Sequence, residues 1–220
     1  MAWTLPRKAG NCRGFTRLSF EEVLWFMNVL GLFAFGLSGA LRAIEENLDL
    51  LGLVALGLTC ALGGGIIRDI MLSELPRALK SELDVLVALI ASLSAIVLKH
   101  IKPVSSVLPI ADAVGLSAFS TTGAILASSA GVSPFGVVIL ATITGAGGGF
   151  IADLMLNRVP TVLKEDFYAS CSILGAIVFL ISMQVLSPTI SALLCWLCVL
   201  LLRLFAILFR WRLPRLGQSG

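Results

Sequence analysis

The sequence predicts an all-α integral membrane protein with seven transmembrane helices, arranged as two inverted three-helix repeats and one C-terminal helix. The composition indicates a membrane protein, because 58% of the 220 residues are hydrophobic and only 13% are charged. The mean hydropathy is +1.00, whereas about 25% of the residues of a soluble domain are charged. An internal repeat and the number of apolar segments predict the rest of the arrangement.

The second half of the chain repeats the first. At an offset of 84 positions, residues 31–80 share 20 identities with residues 115–164, without a gap. A shared apolar bias would not align glycines, aspartates and a proline in register, so we predict two copies of one unit. Duplicated units are typical of membrane transport proteins, whose site lies between the copies.

Seven segments are apolar enough to cross a bilayer, which takes about 20 residues. The first three cover residues 23–41, 50–70 and 83–98, and a basic, proline-broken linker follows at 99–109. Turn residues at 128–134 and 184–188 divide two long uncharged runs, 113–152 and 167–202, into the other four segments. The predicted organisation is a basic tail at 1–22, repeat one at 23–101, repeat two at 102–186, and a seventh helix with a basic tail at 187–220.

Three spans per repeat is an odd number, so the second copy enters from the opposite side of the membrane. We therefore expect the copies to be inverted about an axis in the membrane plane. Positive charges divide almost evenly between the two sides, so the positive-inside rule gives a near tie. We favour a cytoplasmic C-terminus, with the lipid bilayer as a partner of the whole chain.

Two glycine triplets occupy equivalent positions in the second and fifth segments. Three successive glycines weaken a helix by about 1 kcal/mol each relative to alanine, and a break in a span is tolerated only where it lines water or is buried in protein. The triplets predict kinked helices whose backbone carbonyls line an ion path, or alternatively a close helix packing. The residues are Gly63, Gly64, Gly65, Gly147, Gly148 and Gly149.

Each triplet is followed by an aspartate, Asp69 or Asp153, one helical turn beyond the third glycine and on the same face. An ionised group in or near a membrane span is by default a functional hypothesis. We predict that the two carboxylates attract cations at the mouths of a pore. The alternative is structural, with each carboxylate capping a helix or pairing with a lysine such as Lys80 or Lys164.

Three further sets of residues are weaker candidates. Arg68 either neutralises Asp69 or gates one end of the pore. Because Arg68 aligns with Ala152, the pore would have two unlike ends. Lys80 and Lys164 precede the third and sixth segments, where they reach lipid head groups or act in gating or lipid-phosphate binding. Hydroxyls in the first and fourth segments either bond to their own helix or coordinate a cation: Ser38, Thr121 and Thr122.

Nothing in the sequence predicts an enzyme, since there is no Ser-His-Asp set, phosphate loop or zinc-ligand spacing. A single histidine, His100, makes a metal site unexpected. The net charge of +3 gives no reason to expect nucleic acid. We expect no cofactor beyond a permeant ion and a bound lipid.

The twin Gly-Gly-Gly-x-x-x-Asp motifs, each followed by Pro and Lys, resemble those of the trimeric intracellular cation (TRIC) channels and their prokaryotic relatives, some of which are labelled glycine-transporter-like. The resemblance covers about residues 24–208. It implies a homotrimer with a potassium-permeable pore in each protomer, lined by the second and fifth spans. In animal members a lysine near these spans binds phosphoinositide, for which Lys80 and Lys164 are the nearest candidates. The short tails are similar to those of prokaryotic members and imply a prokaryotic plasma membrane.

The sequence leaves more than one function open. The first is a passive channel for monovalent cations. The alternative is a secondary carrier of a small zwitterion such as glycine, in which broken helices offer the positive ends of their dipoles to a carboxylate. A third possibility is a structural membrane protein whose triplets only pack helices.

Overall fold

The computed structural model describes residues 20–164 and 167–209, and all regular structure in these residues is α-helical. The helices are α1 (Phe20–Glu45), α2 (Leu50–Met71), α3 (Arg77–Lys80), α4 (Glu82–Leu98), α5 (Val104–Ser129), α6 (Pro134–Met155), α7 (Thr161–Lys164), α8 (Ala169–Ser182) and α9 (Pro188–Phe209). Most of both predicted basic tails lies outside the described residues.

Each of the seven predicted segments contains a helix of 14 residues or more. Five of these helices, α1, α2, α5, α6 and α9, are long and apolar enough to cross a membrane. The other two are shorter, with 17 residues in α4 and 14 in α8. The chain is therefore an integral, multi-pass membrane protein. The single-turn helices α3 and α7, which follow α2 and α6, were not predicted.

The predicted linker at 99–109 is partly wrong. Helix α5 begins at Val104, directly after Pro103, and Pro109 lies inside it. A proline removes one backbone donor and restricts the residue before it, which is why Pro109 suggested a loop. Here the missing bond would involve only the Ser105 carbonyl, in the first turn of a 26-residue helix.

Equivalent turns end equivalent helices. Asn47 and Gly131, which are 84 positions apart, both have positive φ angles, of 55° and 72°. Ser73 and Asn157 form a second such pair, with φ angles of 58° and 52°. The left-handed conformation terminates a helix, so the two halves share local backbone geometry as well as sequence.

The two halves meet through α1 and α5. The ring of Phe119 packs on Gly31, and a Cβ on Gly115 would lie 2.6 Å from the Phe35 ring. The centroids of the two rings are 5.4 Å apart. Gly31 is equivalent to Gly115, and Phe35 is equivalent to Phe119. Superposing one half on the other therefore turns each glycine–ring contact into the other one, as at a two-fold axis. Residue numbers fall along α5 as they rise along α1, so these equivalent helices are antiparallel.

The glycine triplets lie where α2 crosses α6, and both helices remain helical throughout. A Cβ on Gly64 would collide with the carbonyl oxygen of Thr144, and one on Gly148 with that of Cys60. Gly64 is equivalent to Gly148, and Cys60 is equivalent to Thr144, so these two contacts are also related by the repeat. The glycines allow a backbone-to-backbone approach, as small residues do in membrane helices, and neither helix is interrupted at its triplet. The predicted kinks, and their lining of an ion path, stay predictions.

Candidate functional site

Arg42 is the centre of a buried charged network between the two halves. It lies in the last turn of α1, and only 2% of its surface is exposed. Its Nη2 donates to Asp112 Oδ1 on α5 at 2.8 Å, and its Nη1 donates to Asp153 Oδ1 on α6 at 2.7 Å. Nη1 also donates to the Gly149 carbonyl at 3.1 Å. One guanidinium thus joins repeat one to two helices of repeat two.

The network continues to the helix outside the repeats. Tyr168, just before α8, donates its hydroxyl to Asp112 Oδ1 at 3.2 Å. The guanidinium of Arg203 on α9 lies 4.7 Å from the centroid of the Tyr168 ring, a cation–π distance. We call Arg42, Asp112, Asp153, Tyr168 and Arg203 the Arg42 cluster.

A second charged group lies at the opposite end of α1 and α2. Arg68 pairs with Asp69 through Nη2 at 2.7 Å and Nε at 2.8 Å. Arg77 pairs with Asp84 at 3.2 Å, and Asn28 donates to Asp84 at 3.3 Å. We call these five residues the Arg68 cluster. It differs from the Arg42 cluster in using residues of repeat one only.

The two clusters share a framework. Asp69 Oδ2 accepts from the backbone N–H of Arg77 at 2.7 Å, and the equivalent Asp153 Oδ2 accepts from that of Thr161 at 2.7 Å. Each aspartate therefore caps the short helix that follows its span. The Asn28–Asp84 bond likewise corresponds to the Asp112–Tyr168 bond, because the positions are equivalent.

The positive charge beside each triplet comes from a different position in each half. A Cβ on Gly65 would lie 3.6 Å from Arg68 Nη2, and one on the equivalent Gly149 would lie 3.5 Å from Arg42 Nη2. Alignment of the repeats places Ala152 opposite Arg68, which predicted that repeat two lacks this charge. Arg42 supplies it from α1, so both aspartates that follow a triplet are paired with an arginine.

A cavity of about 90 Å³ opens at the Arg42 cluster. Among its lining residues are Arg42, Asp112, Asp153, Thr161 and Arg203. The volume and the polar lining suit several water molecules. The described residues thus contain a charged recess, with room for water, at one end of the contact between the halves.

Lys80 and the hydroxyl candidates lie apart from these pairs. Lys80 is half exposed and lies 3.6 Å from Glu74, so it does not pair with Asp69. The side chain of Lys164 lies outside the described residues. Thr121 and Thr122 are buried and donate to carbonyls of their own helix, those of Ser117 and Phe119.

Ser38 is fully buried in α1, and its hydroxyl has no hydrogen-bond partner among the residues that the structure describes. Its equivalent, Thr122, bonds to its own helix. Within residues 20–164 and 167–209, none of the three hydroxyls forms a hydrogen bond with a charged residue of either cluster. Their predicted role as cation ligands stays a prediction.

The fold and the buried charges define a duplicated, multi-pass helical membrane protein with a charged interior at the contact between its halves. The model of the family described as "Glycine transporter" matches the chain twice, over residues 25–100 and 109–184. The chain belongs to this family.

Known proteins resemble the chain over most of its length. The UPF0126 membrane protein YvgT of Bacillus subtilis is 32% identical over 194 residues, covering 86% of this chain and 94% of the relative. A structure described as a prokaryotic TRIC channel in 0.5 M KCl is 34% identical, with a TM-score of 0.83, and covers 88% of this chain and 100% of its own. A second, described as showing the structural basis for conductance through TRIC cation channels, is 37% identical, with a TM-score of 0.81, and covers 89% of this chain and 98% of its own. The predicted resemblance to prokaryotic TRIC channels is confirmed.

Proposed function

We propose that the chain forms a channel for monovalent cations, permeable to potassium, with one pore in each protomer of a homotrimer. The likeness to two solved cation channels, at 34% and 37% identity over nearly the whole fold, supports a channel. The observation that carries the proposal is the placement of a buried charged cluster on each side of the crossing of α2 and α6. Ionised groups inside a membrane protein mark ion or substrate pathways.

The proposed path runs from the cavity at the Arg42 cluster, past Gly148 and Gly64, to the Arg68 cluster. Seven helices would span the membrane, with α4 and α8 as the short spans. At the crossing the backbones of α2 and α6 approach so closely that a Cβ on Gly64 or Gly148 would collide with a carbonyl oxygen of the other helix. Opening would therefore require α2 and α6 to bend or separate at their glycines.

The alternative function is a secondary carrier of a small zwitterion, and the description of the family model favours glycine as its substrate. A carrier would need a cation to receive the carboxylate of glycine. Arg42 and Arg68 are the buried arginines beside the triplets, and both are paired with aspartates at 2.7–2.8 Å. This pairing favours the channel.

Reconstitution of the purified chain separates the two functions. In planar bilayers bathed in potassium chloride, a channel gives unitary current steps, and proteoliposomes of the same preparation take up no labelled glycine. Saturable glycine uptake without current steps would support the carrier instead. Liposomes without protein are the control for both measurements.

A further inference from the structure

The two sides of the membrane receive almost the same number of basic side chains. Because the chain would cross the membrane seven times, its two tails lie on opposite sides, and the turns alternate between the sides. The whole sequence places seven lysines and arginines on the side of the N-terminus and nine on the side of the C-terminus. Three of these are buried inside the fold, away from the lipid head groups: Arg42, Arg68 and Arg203.

The tails and turns carry the other thirteen basic residues. On the side of the N-terminus, four precede α1 and two lie between α2 and α4. On the other side, two lie between α4 and α5, two lie between α6 and α8, and three follow α9. The counts become six and seven. The bias in lysine and arginine between the two sides sets the orientation of a multi-pass protein, so a difference of one charge selects neither orientation.

The seventh span produces this balance. Helix α9 has no equivalent among the described helices, and residues 210–220 after it contain three arginines. Without them, the side of the C-terminus would carry four basic residues in tails and turns, against six on the other side. The repeats alone would therefore favour one orientation, and the segment that follows α9 cancels that preference.

The surface of the fold does not select an orientation either. The two-fold relation between the repeats exchanges the two sides of the membrane, so a molecule turned over presents equivalent helices to the lipid. Met71 and Met155, at the ends of α2 and α6 on opposite sides, are 52% and 55% exposed. Val97 and Ile181, near the ends of α4 and α8, are 64% and 63% exposed. The apolar surface therefore ends in the same way on both sides.

We propose that the chain inserts into the membrane in both orientations. The Arg42 cluster then faces the cytoplasm in part of the molecules, and the Arg68 cluster faces it in the rest. This inference rests on the seven spans of the proposed function but not on what the protein transports. The fold is the same in both orientations, because the two repeats insert in opposite senses in either case.

The test uses uncharged epitope tags at both termini of the full chain, expressed in bacteria. A protease added to intact spheroplasts cuts only tags on the outer face, and an untouched cytoplasmic protein shows that the membranes are sealed. We expect each tag to be cut in roughly half of the molecules, because neither charge count dominates. Cutting of either tag in fewer than about a tenth of the molecules overturns the inference.

Two variants at equivalent positions provide the matched comparison. Gln184 and His100 are 84 positions apart, both are exposed, and they lie in turns on opposite sides. Gln184→Lys adds a positive charge to the side of the N-terminus, so we expect more cutting of the C-terminal tag and less of the N-terminal tag. His100→Lys is expected to shift both tags the other way. Gln184→Asn is the uncharged control and is expected to match the wild type, and the absence of opposite shifts in the two lysine variants overturns the inference.

The pair of tags also separates this inference from the proposed spans. With seven spans, each gain in cutting at one tag is matched by a loss at the other. Tags that are cut or protected together indicate an even number of spans, which contradicts the proposed arrangement and the inference with it. One tag fully cut and the other fully protected keeps the seven spans and overturns only the inference.

Both orientations must also be folded. After protease treatment and extraction in detergent, chains cut at the N-terminal tag and chains cut at the C-terminal tag are expected to elute at the same volume in size-exclusion chromatography. Elution of either population as an aggregate shows a misinserted by-product and overturns the inference.

Discussion

Arg42 connects more of the molecule than any residue that the sequence singled out. It reaches from α1 to Asp112 and Asp153, and through Asp112 to Tyr168. Comparison of the repeats found Asp153, because the aspartate occurs in both copies. It missed Arg42, whose equivalent is Leu126, since a side chain supplied by another helix has no counterpart in the alignment. The packing of α1 against α5 and α6 brings these charges together.

At this scale, Asp69→Asn is expected to lower the free energy of unfolding by about 3–5 kcal/mol, the usual effect of removing one partner of a buried ion pair. An asparagine still accepts from the backbone N–H of Arg77, but it no longer neutralises the buried Arg68. Unfolding of the detergent-solubilised protein by a denaturing detergent measures the change.

The matched variant is Asp153→Asn, for which the loss is expected to be smaller because Arg42 keeps its pair with Asp112. Equal stability of the two variants would contradict the role of Asp112 as a second partner of Arg42. In bilayers, Asp153→Asn is also expected to change conductance or cation preference. Unchanged currents would contradict the placement of Asp153 in the pore.

At the scale of helices, the glycine triplets bring α2 and α6 into backbone contact. Their positions were predictable from the repeat, and close packing was one of the two interpretations that the sequence left open. The choice between packing and a break depends on what lies opposite each glycine, which is the carbonyl of Thr144 or Cys60. Those partners are 80 and 88 residues away in sequence, so no local pattern reveals them.

Gly148→Ala is expected to destabilise the protein by about 1–3 kcal/mol, because overpacking forces the backbones apart. Gly64→Ala is expected to have a similar effect at the equivalent contact. Gly65→Ala is the control, since its Cβ would make only an ordinary contact, 3.6 Å from Arg68 Nη2. Thermal unfolding midpoints of the three variants test this, and a Gly148→Ala protein as stable as Gly65→Ala would contradict the close crossing.

At the scale of the whole molecule, the two halves present the same surfaces as well as the same contacts. Leu51 and Phe135 are equivalent, and each is 76% exposed. Apolar side chains this exposed indicate a surface that faces lipid or another copy of the chain. The membrane class and the duplication were predictable from composition and repeat. The role of α9 was not, because Arg203 resembled a part of the basic tail until its contact with Tyr168 was known.

The chain is expected to purify as a homotrimer. Light scattering corrected for bound detergent should give the mass of three copies of the 23.3 kDa chain. Cross-linking at limiting reagent should give dimer and trimer bands and nothing larger. A monomer at all protein concentrations would contradict the trimer. It would not contradict a pore within each protomer.

The central claim is that a cation path lies between the two halves. The most direct test is the reversal potential of the wild-type current across a planar bilayer with unequal potassium chloride concentrations on its two sides. A cation path predicts that the current reverses close to the equilibrium potential of potassium. Reversal close to the equilibrium potential of chloride would contradict it.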